Sequence, residues 1–338
     1  MTLGKRDGAG NLVVTNGVSQ GVPKITLNGG NNAQYTISPD WTRPNLALNG
    51  TGSSSTVLGT TRNSYTLTNS TLTNGAGVAV GLSNIQLAKL SGDRTGSDNN
   101  TFTLTDWSGS GEINGFGGTD TVVAVNDGDF TLSDASLARS GRGAMLLQAT
   151  VSGTTYKTEV ANLTGGGGAN SFSVSSWTGT ANLNGAGGAD IYTVNFNGSG
   201  AGTVNINDSG SNAGDTVTVN GTSSADSISV NGGQIVRSGE IVNFSNVEGL
   251  TVNGLGGNDS VTVTSPSVTT IITGGDNEDT ITLNSTSVAM TINGDAGHDT
   301  ITVVNASAAL AIDGGSENDT INIRALTTDS TINTGSGT

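Results

Sequence analysis

The sequence predicts an all-β fold: a parallel β-solenoid of about 20 residues per coil, with wider, irregular coils in the N-terminal half. Three observations lead there: a strict 20-residue period, short runs of apolar-polar alternation, and 53 glycines among 338 residues of which only 12% are charged. An average domain carries about 7% Gly and about 25% charge, so the backbone here must turn far more often than in an ordinary enzyme. No Gly-X-Y period runs through the chain and Pro is scarce, which excludes collagen. The modest net charge per residue and the recurring Val, Ile, Leu and Thr argue against disorder.

The regular segment, residues 251–338, carries the signal. From Gly254 the chain reads as four consecutive lines, GLGGNDSVTVTSPSVTTIIT, GGDNEDTITLNSTSVAMTIN, GDAGHDTITVVNASAALAID and GGSENDTINIRALTTDSTIN, and TGSGT begins a fifth. Gly254, Gly274, Gly294 and Gly314 fill the first column and Asp259, Asp279, Asp299 and Asp319 the sixth. Ser or Thr follows each Asp, and then an apolar-polar-apolar triplet. Alternation of period two marks a strand with one buried face. Two or three such short strands cannot bury that face alone, so successive lines must stack as coils about 4.8 Å apart.

Residues 31–250 repeat the same corner at looser spacing, in INGFGGTDTV, LTGGGGANSFSV, LNGAGGADIYTV and VNGTSSADSISV. A super-repeat of about 70 residues lies over it: residues 100–120 align with 170–190 and more loosely with 32–55. Trp41, Trp107 and Trp177 share one position of that repeat and are expected as fillers of widened coils, with sugar stacking as the rival role. Residues 1–30 form an N-terminal strand segment, with LVV and KITL inside Leu12 to Leu27, suited to an assembly arm.

The column residues have definable chemistry. Glycines at columns one and three or four are expected to supply positive φ in a tight corner. Asp at column six can accept backbone N–H bonds in an Asx-type turn, a role that Asn170 and Ser55 fill elsewhere without charge. The alternative starts from stacking. A column of carboxylates about 5 Å apart costs on the order of 1 kcal/mol per pair even in water. Residues 1–160 hold ten Lys and Arg against eleven acids, whereas residues 161–338 hold two against sixteen, and no base lies between Arg237 and Arg324. A hard dication at the corners would remove the repulsion, and Ca²⁺ suits carboxylate and carbonyl oxygens. The candidate ligands are Asp120, Asp190, Asp259, Asp276, Asp279, Asp295, Asp299, Asp313 and Asp319.

These corners resemble the repeats-in-toxin (haemolysin-type calcium-binding) family, whose nonapeptide GGxGxDxUx binds Ca²⁺ in a parallel β-roll. GLGGND, GDAGHD, GFGGTD and GAGGAD keep the first Gly, the fourth Gly and the Asp, while GGDNED and GGSEND place Asn277 and Glu317 fourth. The family motif recurs about every nine residues, but here it comes once per coil, so the resemblance implies at most one row of sites. Similar Gly-Asx-Thr corners also occur in secreted adhesins and surface-layer proteins that need no metal at each turn.

The remaining features narrow function by class. No Cys is present and His298 is the only histidine, which closes thiol chemistry and leaves little for His-based sites. No nucleophile elbow, phosphate loop or HExxH motif occurs. The Thr-x-Thr pairs after each corner form an array like that of ice-binding solenoids, which Asn322 interrupts; exposed strands favour Thr in any case. A net charge of −15 opposes nucleic acid or an anionic membrane as partner. No run reaches the roughly 18 apolar residues of a membrane helix, and MTLGKRDGAGNLVV lacks the apolar core of a signal peptide.

The expectation is a non-enzymatic, extracellular or cell-surface structural protein that self-associates head to tail into a filament, matrix fibre or surface layer, stabilised by Ca²⁺. The acidic end would meet another subunit's Lys5, Arg6 and Lys24. The alternatives are a monomeric Ca²⁺-dependent adhesin or spacer, whose partner is a glycan or cell-surface ligand, and a polysaccharide-acting β-helix enzyme.

Overall fold

A computed structural model describes residues 5–6, 12–14, 25–29, 32–37, 45–52, 54–60, 64–92, 97–210 and 214–336. Among them all 36 regular elements are β-strands, most paired in parallel in long stacks, and the fold is a β-solenoid. Trp41 and Lys24 lie outside the described residues. The chain divides into two compact units, Met1–Thr164 and Gly165–Thr338.

In the first unit, parallel stacks are interrupted by antiparallel detours. Gln34–Ile37, Thr56–Thr60, Leu87–Ser91 and Ser110–Asn114 pair in succession, as do Tyr65–Leu67, Thr101–Thr105, Thr121–Val125 and Val160–Thr164. Leu12–Val14 adds to Gln34–Ile37 in parallel, and Lys5–Arg6 adds to Leu12–Val14 antiparallel. The widened coils arise from inserted hairpins: Tyr65–Leu67 with Thr71–Asn74, Phe130–Leu132 with Ser136–Arg139, and a ribbon of Gln148–Val151 with Thr154–Lys157. Inward-facing Phe102, Leu104 and Trp107 are fully buried.

In the second unit two strand stacks alternate along the chain. One runs through Ser171–Ser175, Ile191–Asn195, Thr216–Asn220, Gly249–Gly256, Thr269–Asp276, Met290–Ala296, Leu310–Asp313 and Thr331–Asn333. The other contains Thr180–Asn184, Thr203–Asn207 and Glu240–Ser245, and then Ser227–Asn231, Ser260–Thr264, Thr280–Ser285, Thr300–Val303 and Thr320–Ile323. A third, minimal side is marked by single bridges from Thr286 to Ala306 and from Ala306 to Leu326.

From Ser260 onward the register advances by one column length per coil: Ser260 opposes Thr280, Thr280 opposes Thr300, and Thr300 opposes Thr320. Alternation therefore becomes burial. Val261, Val263, Ile281, Leu283, Ile301 and Val303 are sealed inside, while the Ser and Thr between them face outward, with Asn322 ending the column begun by Thr262. Amide ladders reinforce the exposed faces. Asn243 Nδ2 donates to Asn205 Oδ1, and Asn205 Nδ2 to Asn182 Oδ1, both at 2.9 Å. Trp177 is 3% exposed, so Trp107 and Trp177 are both interior fillers. The change from wide to tight coils near residue 250 falls inside this second unit.

Candidate functional site

The acidic side chains at the strand entrances form ladders. In the tight coils the Asp259 N–H donates to Asp279 Oδ1 at 2.7 Å, the Asp279 N–H to Asp299 Oδ1 at 2.8 Å, and the Asp299 N–H to Asp319 Oδ1 at 2.9 Å. The backbone completes each rung, because the Asp carbonyl accepts the N–H of the residue that starts the next coil's strand, as Asp259 does from Thr280. The stacked column expected from the repeat is real. Its hydrogen bonds run between coils, however, and not within the Asp's own turn. Only Asn170 and Asp226 make the local contact, accepting from the Gly166 N–H at 2.8 Å and the Thr222 N–H at 2.6 Å.

The glycine columns also work differently from the expectation. Column-one Gly254, Gly274, Gly294 and Gly314 do not have positive φ. A Cβ on Gly294 would collide with the Asp299 carboxylate and with the Gly314 carbonyl of the next coil. Glycine is required there for close approach. Positive φ falls on columns two and four, where Leu255, Asp295, Asn277 and Glu317 adopt it at 82°, 74°, 82° and 70° as non-glycine residues.

Ladder carboxyls are buried, and this decides their charge. Asp259, Asp279 and Asp299 are each no more than 2% exposed, and their Oδ2 atoms are buried without a hydrogen-bond partner. Fully ionised neighbours at this spacing would repel by roughly 3–4 kcal/mol per pair at an effective dielectric near 20. The carboxyls respond by holding protons. Burial, opposed by the Asp226 N–H, raises Asp259 to about 6. Burial raises Asp279 to about 7 despite the Asp259 N–H, with Asp259, Asp299 and Asp295 adding repulsion. Asp299 moves in the same direction for the same leading reason.

At the head of this ladder the charge is met differently. The Asp226 N–H donates to Asp259 Oδ1 at 2.7 Å, and the Asp226 carboxylate is paired with Arg237. Arg237 Nη1 also reaches Glu240 Oε2 at 2.8 Å. Glu240 in turn accepts the Asn197 N–H at 2.6 Å and the Gly198 N–H at 3.2 Å. One buried guanidinium thus closes a wide coil around two acids.

A second ladder in this unit stands at the entrances to the other strand stack. Asn170 N–H donates to Asp190 Oδ1 at 2.6 Å, Asp190 N–H to Asp215 Oδ1 at 2.8 Å, and Asp215 N–H to Glu248 Oε2 at 2.7 Å. The second of these steps spans 25 residues, and its extra length brings Asp208 beside the ladder. Asp190, Asp208 and Asp215 are all buried, with one oxygen of each lying within 4.8 Å of the others. Burial raises Asp190 to about 6, against the Asn170 N–H, with Asp208 and Asp215 adding to the rise.

The sequence candidates therefore separate into distinct places. Asp259, Asp279, Asp299 and Asp319 form one ladder. Asp190 belongs to the buried triad. Asp120, in the first unit, accepts the Asn100 N–H at 2.8 Å while its own N–H donates to Glu159 Oε2 at 2.7 Å; burial raises it to about 6. Asp276 and Asp295 are exposed at the tight corners. The Asp295 carboxyl is held above its ordinary value by desolvation first and then by Asp313 and Asp276. Asp313 accepts from Asn333 Nδ2 at 3.0 Å.

Asp208, Asp215, Glu159 and Glu248 were not among the candidates. Asp215 carries a readable signal, an acid directly before Thr-Val-Thr-Val. Asp208 carries none, because only the coil width places it. Comparison with known proteins finds no family model that matches the chain and no curated protein that matches it.

Proposed function

We propose that the chain is an extracellular structural protein, a self-associating β-solenoid that forms or decorates a filament, matrix fibre or surface layer and carries no catalytic activity. The observation behind this reading is the last described coil. Ile301, Val303, Ala306 and Ile312 are buried, but their register partners Ile321, Ile323 and Leu326 are half-exposed and Ile332 is 41% exposed. Thr331–Asn333 pairs along one edge, to Leu310–Asp313. Unpaired backbone groups beside apolar columns invite another strand in the same register, and a coil of a second copy buries both at once. Contacts of this head-to-tail kind continue as filaments when they do not close.

Calcium enters this reading at the exposed corner of Asp276, Asp295 and Asp313. Exposed carboxylates with no base nearby in sequence suit the millimolar calcium of extracellular modules. Electron microscopy and sedimentation of the purified protein, with calcium and with chelator, test the proposal. Regular fibres that Ile332→Lys abolishes are the expected result. A monomer that persists in saturating calcium at high protein concentration overturns it.

A further inference from the structure

We propose that Asp190, Asp208 and Asp215 form an interior binding site for one hard divalent cation, separate from the exposed corner and independent of self-association. The three carboxyl groups come from two successive coils and from the loop between them. Each has an oxygen fixed in advance. Asp190 Oδ1 accepts the Asn170 N–H at 2.6 Å, Asp208 Oδ1 the Gly210 N–H at 2.7 Å, and Asp215 Oδ1 the Asp190 N–H at 2.8 Å. Asp208 Oδ2 accepts the Tyr192 hydroxyl at 2.6 Å, whose oxygen in turn accepts the Gly185 N–H at 2.5 Å.

The independent observation is Asp190 Oδ2. Asp190 is 0% exposed and this oxygen has no hydrogen-bond donor, although the Asp208 carboxyl lies within hydrogen-bonding reach of the Asp190 side chain. Two acceptors facing each other in the interior require something positive between them. The N–H and O–H donors already aimed at these groups favour their ionised forms, which suits a cation better than a shared proton. An all-oxygen set with no imidazole or thiolate selects Ca²⁺, Mg²⁺ or Mn²⁺ over softer metals. Oxygens within 4.8 Å of one another can all reach one centre at the roughly 2.0–2.6 Å of such bonds.

Tyr192 makes the site observable, because a tyrosine bonded to a ligand sensitises Tb³⁺ emission. The full chain, freed of metal with chelator, is titrated with Tb³⁺ and then competed separately with Ca²⁺, Mg²⁺ and Mn²⁺. The expected result is saturable one-site emission, displaced by at least one of the three cations, with apparent affinity at least about tenfold weaker in Asp208→Asn and in Asp215→Asn. Tyr192→Phe is expected to lose the emission while the cation still raises the unfolding temperature. The corner variant Asp276→Asn/Asp295→Asn/Asp313→Asn should keep the emission, which separates this site from the calcium of the assembly reading. If native protein gives no saturable emission and unfolds at the same temperature in chelator and in each cation, the cluster holds a proton and the proposal falls. Emission that disappears with the corner variant but survives Asp208→Asn overturns it equally.

Discussion

The tight coils from Gly254 to Asn333 and the wide coils from Gly165 to Gly249 run the same ladder with different surroundings. In the tight coils every step is 20 residues and each rung holds one carboxyl, so the only neighbours of a ladder acid are other ladder acids. In the wide coils the steps lengthen to 25 and 33 residues, yet the N–H to carboxylate bond survives at 2.7–2.8 Å. The ladder is thus indifferent to what is inserted between rungs. Insertion length decides instead which extra charge is delivered to the rung: Arg237 beside Asp226, Asp208 beside Asp190. Tight coils settle their charge with protons, and wide coils settle it with side chains and, on the proposal above, a cation.

The largest test of that contrast is Arg237→Met. It leaves Asp226 and Glu240 buried without their cation, a change that typically costs about 3–5 kcal/mol. Unfolding in urea should shift by that amount, with hydrogen exchange accelerated first around Asp226 and Asn197. A shift below about 1 kcal/mol would mean that the wide coils, too, settle their charge with protons.

Next is the ladder itself. Asp279→Ala removes the acceptor of a buried N–H and is expected to cost about 1–3 kcal/mol at every pH. Asp279→Asn keeps an acceptor, as Asn170 does at the same column, and removes only the titration. Folded values of about 6 for Asp259 and about 7 for Asp279 lie above the roughly 3.9 of an unfolded aspartate. Folding therefore takes up protons between about pH 4 and 7. The ladder's contribution is complete below pH 4 and is lost as the pH rises through 6 and 7, at about 1.4 kcal/mol per unit of separation. Native protein should unfold at a higher temperature at pH 5 than at pH 8. Asp279→Asn should flatten that slope and exceed native stability at pH 8. A native stability that rises from pH 5 to pH 8 would show that the ladder is ionised and compensated.

What could be read from the sequence follows the same division. Where the coil is 20 residues long, position in sequence is position in space, so the strands, their register and the Asp259 to Asp319 column were all readable from spacing. Which columns need glycine for φ and which for close approach was not, since both appear in sequence as Gly; the structure assigns Gly294 to the second kind and Gly297, at φ 136°, to the first. In the wide coils a hairpin or loop of variable length separates neighbours in space. Asp215 is still marked by the alternation that follows it, but Asp208 meets Asp190 only because of how far the loop projects. The nine candidates consequently mixed three environments that spacing alone treats as one.

The smallest expected effect probes a place where a tight coil departs from its own pattern. Column four is glycine in Gly188, Gly257 and Gly297, all with positive φ, but Glu317 takes the same conformation at φ 70°. A left-handed non-glycine residue costs roughly 1–2 kcal/mol, and glycine's extra freedom in the unfolded chain gives back about 0.5–1 kcal/mol of that. Glu317 is exposed, so little burial is lost with its side chain. Its charge also bears on Asp299, whose carboxyl is raised by burial first and by Asp319, Asp295 and Glu317 after it. Glu317→Gly should therefore stabilise the protein by about 0.5–1 kcal/mol in chelator, seen as a rise of a few degrees at most in unfolding temperature. If the same substitution lowers stability once millimolar calcium is present, the strained glutamate is held in place as a cation ligand. The tight coils would then share the solution proposed for the wide ones, and the contrast between the two regions would reduce to where the cation sits.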